Sequence, residues 1–194
     1  FEGERQIVTG IGVGKAKAAQ HKYGTLDINF GGTANTEYVS PTNVPNDSST
    51  FVRNSLILTA GELNLDDDHI PSNGGGRMIV IQNKTSTGMA RTNGYIRSEV
   101  ENGTGIVKWI MGTNLTSHIF HFGYDAANYI PLTFTPASGT VDTVKIGTYH
   151  TTFANLPYPP TVTHMRNNGG TDNSAFTVDR FWNIDITGTT ATAN

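Results

Sequence analysis

The sequence has no cysteine, few charged residues and no long apolar run. Zero cysteines among 194 residues exclude a disulfide framework, thiol catalysis and thiolate metal sites. Charged residues make up 15% of the chain, below the typical ~25%, and no basic cluster occurs, which argues against a nucleic-acid partner. No apolar stretch approaches the roughly 20 residues of a membrane-spanning helix. We therefore expect a chain that does not span a membrane.

Threonine, asparagine and glycine are abundant, and together they make up roughly a third of the chain. Threonine favours half-buried pleated surface, while Asn and Gly supply the positive φ angles of tight turns. Short windows of alternating apolar and polar residues recur about a dozen times, which is typical of strands. The pattern predicts an all-β fold with less than ~10% helix, specifically an antiparallel, jelly-roll-like β-sandwich of about a dozen short strands. No exact long repeat is evident.

Two glycine-containing pairs predict hairpins between neighbouring strands. Ala60-Gly61 separates the strand that ends near Leu58 from the next one, and Asn102-Gly103 does the same farther along the chain. Alternate strand positions also predict that five large side chains are buried: Trp109, Phe120, Phe134, Ile146 and Trp182.

The chain is predicted to form one large β domain over residues 1–194. Within it, residues 1–54 are an N-terminal extension or a region of strand exchange, residues 55–186 form the main β module, and residues 187–194 resemble a linker. The alternating segment 1–13 is either the first strand of its own sandwich or a strand that pairs with a neighbouring copy. The sequence leaves both alternatives open.

Asp66, Asp67 and Asp68 form the only acidic cluster in the sequence. Adjacent carboxylates repel one another, and a loop that gathers them often holds Ca²⁺ through oxygen ligands. The acids do not stand at the alternate positions of an EF-hand loop, so the pattern favours a solvated turn over a calcium site. Ca²⁺ at these three residues is the only cofactor that the sequence suggests.

No motif in the sequence predicts an active site. The glycines of residues 10–15 lack the spacing of a phosphate-binding loop. His118 and His121 stand on opposite faces of a strand and make a poor chelating pair. Aromatic residues of the second half are explained by core filling, with an exposed sugar-binding platform as the alternative. A glycoside hydrolase would need two facing carboxylates, and the candidates, which show no pairing in sequence, are Glu37, Glu62, Glu99, Glu101, Asp125 and Asp142.

The order of segments from residue 55 onward resembles that of a known family. Two of these segments are Lys108-Trp-Ile-Met-Gly112 and Val178-Asp-Arg-Phe-Trp-Asn-Ile184, and the others are 56–65, 78–83, 94–99, 121–123 and 130–134. The series resembles a β-rich module of large surface and secreted proteins of Bacteroidota, of the kind exported by the type IX secretion system. The resemblance implies an extracellular location and an adhesive or structural role, and it supplies no catalytic residue.

We therefore expect an extracellular structural or adhesive surface module and not an enzyme. Its partners would be copies of itself, in a filament or layer formed by strand exchange, or other surface proteins. A polysaccharide-binding module is the alternative, and a glycoside hydrolase ranks third.

Overall fold

A computed structural model describes residues 5–7, 21–29, 35–37, 49–65, 78–100, 105–166 and 170–193. Helix is confined, within these ranges, to the 3₁₀ turns Ser86–Gly88 and Ser174–Phe176, and no helix there is long and apolar enough to cross a membrane. The strands are β1 Arg5–Ile7, β2 His21–Asn29, β3 Asn35–Glu37, β4 Ser49–Ala60, β5 Glu62–Asn64, β6 Met78–Ile81, β7 Met89–Arg91, β8 Tyr95–Arg97, β9 Ile106–Gly112, β10 His118–Phe120, β11 Leu132–Phe134, β12 Pro136–His150 and β13 Arg180–Ala193.

The strands up to β9 wind into a parallel β-helix. The chain visits two sheets in turn: β1, β3, β5 and β8 join one sheet, and β2, β4, β6 and β9 join the other. Neighbours within each set are parallel, and β7 stacks in parallel on the second half of β4. His21, Thr50, Ile79 and Val107 lie side by side in register, so successive coils are 29, 29 and 28 residues long.

Two long antiparallel strands extend the second sheet beyond β9. β12 pairs with β9 on one side and with β13 on the other, and both pairings are antiparallel. β10 and β11 form a separate antiparallel pair. β13 is therefore the terminal strand of the seven-stranded sheet, and it is 14 residues long.

The prediction of an all-β chain with little helix is confirmed, whereas the antiparallel jelly-roll sandwich is not. Seven of the ten strand pairs are parallel. Side chains alternate with a period of two in both kinds of strand, so the pattern could not distinguish them.

Both predicted hairpins are replaced by passages between sheets. Gly61, with φ of 80°, carries the chain around a corner from β4 to β5, and these two strands belong to different sheets. Asn102-Gly103 lies outside the described residues, but the strands on either side of it, β8 and β9, also belong to different sheets. Turn chemistry marked the corners of the coils without showing which strands pair.

The core is one apolar cluster formed by the coils, by the β10–β11 pair and by β12. Trp109, Phe120 and Ile146 are completely buried and Phe134 is nearly so, which confirms four of the five burial predictions. Trp182 packs against the cluster but is only partly buried, because it lies on the terminal strand.

Trp109 is tied to the turn that follows β6. Its indole Nε1–H donates to the Asn83 carbonyl oxygen at 2.7 Å, and its ring meets the edge of Phe120 with centroids 5.3 Å apart. Gly88 lies against this ring, since a Cβ there would come within 3.0 Å of Trp109 and 2.7 Å of the Asn83 carbonyl. The close approach requires glycine at this position.

Candidate functional site

Several residues singled out from the sequence lie outside the described ranges. These are Asp66, Asp67, Asp68 and Glu101, together with residues 10–15, so the calcium site stays a prediction. Among the side chains that the structure describes, no group of three or more His, Asp or Glu residues could hold a metal ion.

His118 and His121 make separate contacts. His118 is buried, with Nδ1 2.7 Å from the Thr116 carbonyl oxygen and Nε2 3.1 Å from that of Lys84. His121 Nδ1 lies 2.5 Å from the Tyr129 hydroxyl. Burial, and secondarily the nearby Arg91 guanidinium, lower the pKa of His121 to about 4. Both rings are parts of the packed structure.

Two of the described candidate carboxylates, Glu62 and Asp125, make separate contacts. Glu62 is buried and accepts a hydrogen bond from the Tyr95 hydroxyl at 2.8 Å, and Arg97 Nη1 lies 3.9 Å from its other oxygen. Burial, followed by this hydrogen bond, raises the pKa of Tyr95. Asp125 caps an exposed turn by accepting from the Ala127 N–H at 2.8 Å. Each of these two carboxylates has its own hydrogen-bond partners, and the two groups share none of the described ones.

Glu99 is the centre of a charged network that joins the segment after β8 to β12 and β13. Its side chain is 2% exposed and that of Arg180 is 9% exposed. Arg180 Nη1 donates to Glu99 Oε1 at 2.7 Å. Glu99 Oε2 lies 2.8 Å from both the backbone nitrogen and Nδ1 of His150. Because Nδ1 faces a carboxylate oxygen, Nδ1 carries the proton when the ring is neutral, and Nε2 is then an acceptor.

The neighbouring Ser98 fixes the same segment to β12. Its hydroxyl donates to the Gly105 carbonyl oxygen and accepts from the Thr148 N–H at 3.0 Å. Ser98 is completely buried. Ser98 therefore anchors the backbone next to Glu99 to β12, the strand that carries His150.

A surface depression of about 420 Å³ opens beside the network. The residues that line it are Glu99, Tyr149, His150, Thr151, Thr152, Leu156 and Pro157. The turn at 152–156 forms one wall and is closed by hydrogen bonds between Thr152 and Leu156 in both directions. Tyr124 is not one of the lining residues, but its ring lies edge-on to that of His150, with centroids 4.7 Å apart and planes inclined at 68°. The imidazole side chain is 55% exposed.

The second candidate surface is the edge and inner face of β13. Val144 lies opposite Ile186 and Ile146 lies opposite Ile184, so these pairs share one face of the sheet. Val144 and Ile146 are completely buried, whereas Ile184 and Ile186 are 45% and 39% exposed. The buried face of β12 therefore continues onto β13, where its apolar side chains are exposed to solvent. On the outer edge of β13, no described strand pairs with it.

In comparisons with known proteins, no family model, curated protein or solved structure matches the chain.

Sequence reasoning missed both surfaces. Glu99 was considered only as one half of a catalytic pair, and His150 and Arg180 reach it from positions 51 and 81 residues away. The local sequence holds no signal for such a contact. A weak signal existed for β13, because Ile184 and Ile186 alternate with the polar residues Asn183, Asp185 and Thr187.

Proposed function

We propose that this chain is an extracellular structural or adhesive surface module that associates with copies of itself through β13. The observation that carries the proposal is the exposed Ile184–Ile186 stripe beside an unpaired strand edge of 14 residues. The resemblance to modules of type IX secretion cargo in Bacteroidota supports the extracellular location and the adhesive role.

The physical basis is the chemistry of a sheet edge. A terminal strand presents unpaired N–H and C=O groups to any strand that can align with them, and proteins usually protect such edges with charges, proline or short length. β13 is long, contains no proline, and has Asp185 held by Lys145 Nζ at 2.8 Å on its paired side. A second strand would extend the sheet and cover the two isoleucines at the same time.

The contact proposed here is made by β13, whereas the strand exchange expected from the sequence would be made by the N-terminal segment 1–13. Arg5–Ile7 runs parallel to Asn35–Glu37 of its own chain, while residues 1–4 and 8–13 lie outside the described residues. The association proposed for β13 therefore needs no exchanged strand. Pairing of β13 with β13 of another copy is isologous and closes as a dimer, whereas pairing of β13 with a different edge is heterologous and, where it does not close, produces a filament or layer.

The test compares edge variants of the full chain. Ile184→Lys combined with Ile186→Lys places two charges on the incomplete face and should convert assemblies into monomers, measured by light scattering across a concentration series and by electron microscopy. Phe176→Lys is the matched control, because Phe176 is 88% exposed and lies outside the strand. An intact chain that stays monomeric at millimolar concentration would refute the proposal, as would assembly that the double variant leaves unchanged.

A further inference from the structure

We propose that the depression beside Tyr124 and His150 binds a neutral oligosaccharide. The inference is independent of self-association, since it concerns the segment before β13 and not the edge of that strand. His150 is the first element of the proposed site. Its imidazole Nδ1 lies 2.8 Å from the buried Glu99 carboxylate, which fixes the orientation of the ring. The remaining nitrogen, Nε2, is an oriented acceptor on a side chain that is more than half exposed.

Two threonines line the same depression. Thr152 accepts from the Leu156 N–H at 3.2 Å, which leaves its own O–H to donate. Thr151 lies beside it, and its hydroxyl contacts Asn155 Oδ1 at 3.4 Å, a long and weak hydrogen bond. A ligand whose hydroxyls can both donate and accept satisfies this set.

Apolar surface completes the site. Leu156 is 48% exposed and Tyr124 is 37% exposed, and Pro157 forms part of the lining. The sugar ring offers C–H groups to aromatic and aliphatic surfaces and O–H groups at its rim, so its two kinds of surface correspond to those of the depression. The volume of about 420 Å³ falls within the range of roughly 300–1,000 Å³ that small-ligand sites occupy.

The charges around the depression favour a neutral ligand over an ionic one. Glu99 is neutralised by Arg180 at 2.7 Å. Arg97, whose guanidinium carbon lies 5.6 Å from the centre of the Tyr124 ring, lies 3.9 Å from Glu62. A sulfated or uronic-acid polymer would require cations that are not already paired, and binding an amine would require an unpaired carboxylate. Neither is present among the residues that line this depression.

The experiment titrates the full chain with neutral hexasaccharides of β-1,4-glucan, β-1,4-mannan, β-1,4-xylan and α-1,4-glucan, with oligogalacturonate as the charged comparison. Calorimetry gives the affinities, and amide shifts in ¹H–¹⁵N spectra locate the contact. We expect at least one neutral sugar to bind and to shift amides of residues 149–157. His150→Ala and Tyr124→Ala should each weaken binding about tenfold, the effect of one lost interaction of ~1.4 kcal/mol.

His164→Ala is the matched control, because His164 is exposed and its only described hydrogen bond is to the adjacent Thr163 at 2.9 Å. That variant should bind like the parent. All three changes affect exposed side chains, and an unchanged melting temperature shows that each variant is folded. Absence of binding by all four neutral sugars refutes the proposal. So does tighter binding of oligogalacturonate, or equal binding by the parent, His150→Ala and Tyr124→Ala.

Discussion

The coils and the region that follows them differ in how many large apolar side chains they leave exposed. In the described coils up to Gly112, the large apolar residues are buried or half-buried, and Val52, Leu56, Leu58 and Ile81 are completely inaccessible. Every exposed large apolar side chain among the described residues comes later, between Leu115 and Ile186. The stacked region thus supplies most of the core, and the covering region supplies the rest of the core together with the exposed apolar side chains.

This difference follows from how each part is stacked. A middle coil has a neighbour on both sides, so its strand edges and inward side chains are covered as the chain winds. β13 has a neighbour on one side only, and the inner face of its sheet extends past the core. Apolar residues at that position stay exposed unless another molecule covers them.

The two tryptophans provide the largest test of the comparison. Trp109→Ala removes a completely buried ring and its hydrogen bond to Asn83, and should cost about 4 kcal/mol of the free energy of unfolding. Trp182→Ala, on the terminal strand, should cost roughly half as much, since its ring is partly exposed. Denaturant unfolding measures both, and an equal loss would contradict the division into core and cover.

Two ion pairs of β13 sharpen the comparison at the level of charge. Glu99→Ala leaves Arg180 buried without its carboxylate and should destabilise the protein by about 3 kcal/mol. Asp185→Ala removes the exposed partner of Lys145, at 55% exposure, and should cost less than ~1 kcal/mol. If the two variants have the same melting temperature, the buried network does not stabilise the packing of β12 and β13 against the coils.

Asn155 tests the turn that forms one wall of the depression. It is completely buried with φ of 57°, and its Nδ2 donates to the Ser174 carbonyl and the Thr177 hydroxyl, both at 2.7 Å. Asn155→Ala should cost about 2 kcal/mol, from lost hydrogen bonds and the unfavourable left-handed conformation. Asn155→Gly retains that conformation and should recover part of the loss, and a Gly variant less stable than Ala would contradict the account.

The smallest expected effect is the pH dependence due to His121. Its pKa is about 4 in the folded chain, against an ordinary value of about 6.5, so the unfolded chain takes up a proton first as the pH falls. The stability contribution is complete above pH ~6.5 and is lost between there and pH ~4, by roughly 1 kcal/mol after discounting for partial exposure. His121→Gln should flatten this slope in melting temperatures, whereas His164→Ala should leave it unchanged.

The extent of sequence prediction differs between the two regions as well. Strand content, the scarcity of helix and the burial of Trp109, Phe120, Phe134 and Ile146 were all predictable, because alternation and side-chain size act locally. The coil architecture was not, because successive coils align at 29 and 28 residues without repeating their residues. Coils can stack with the same backbone geometry as long as apolar residues occupy the inward positions. The amino-acid sequence therefore need not contain an exact repeat.

Local pattern was enough to predict a β-rich chain with turn residues at its corners and enough apolar side chains for one core. The fold was needed to show that most strands pair in parallel, that Glu99 contacts His150 and Arg180, and that Ile184 and Ile186 lie on a strand with no described neighbour on its outer side. The reason is the range of the interactions. Propensity and alternation act between residues close in sequence, whereas pairing direction and buried charge contacts depend on which distant segments meet.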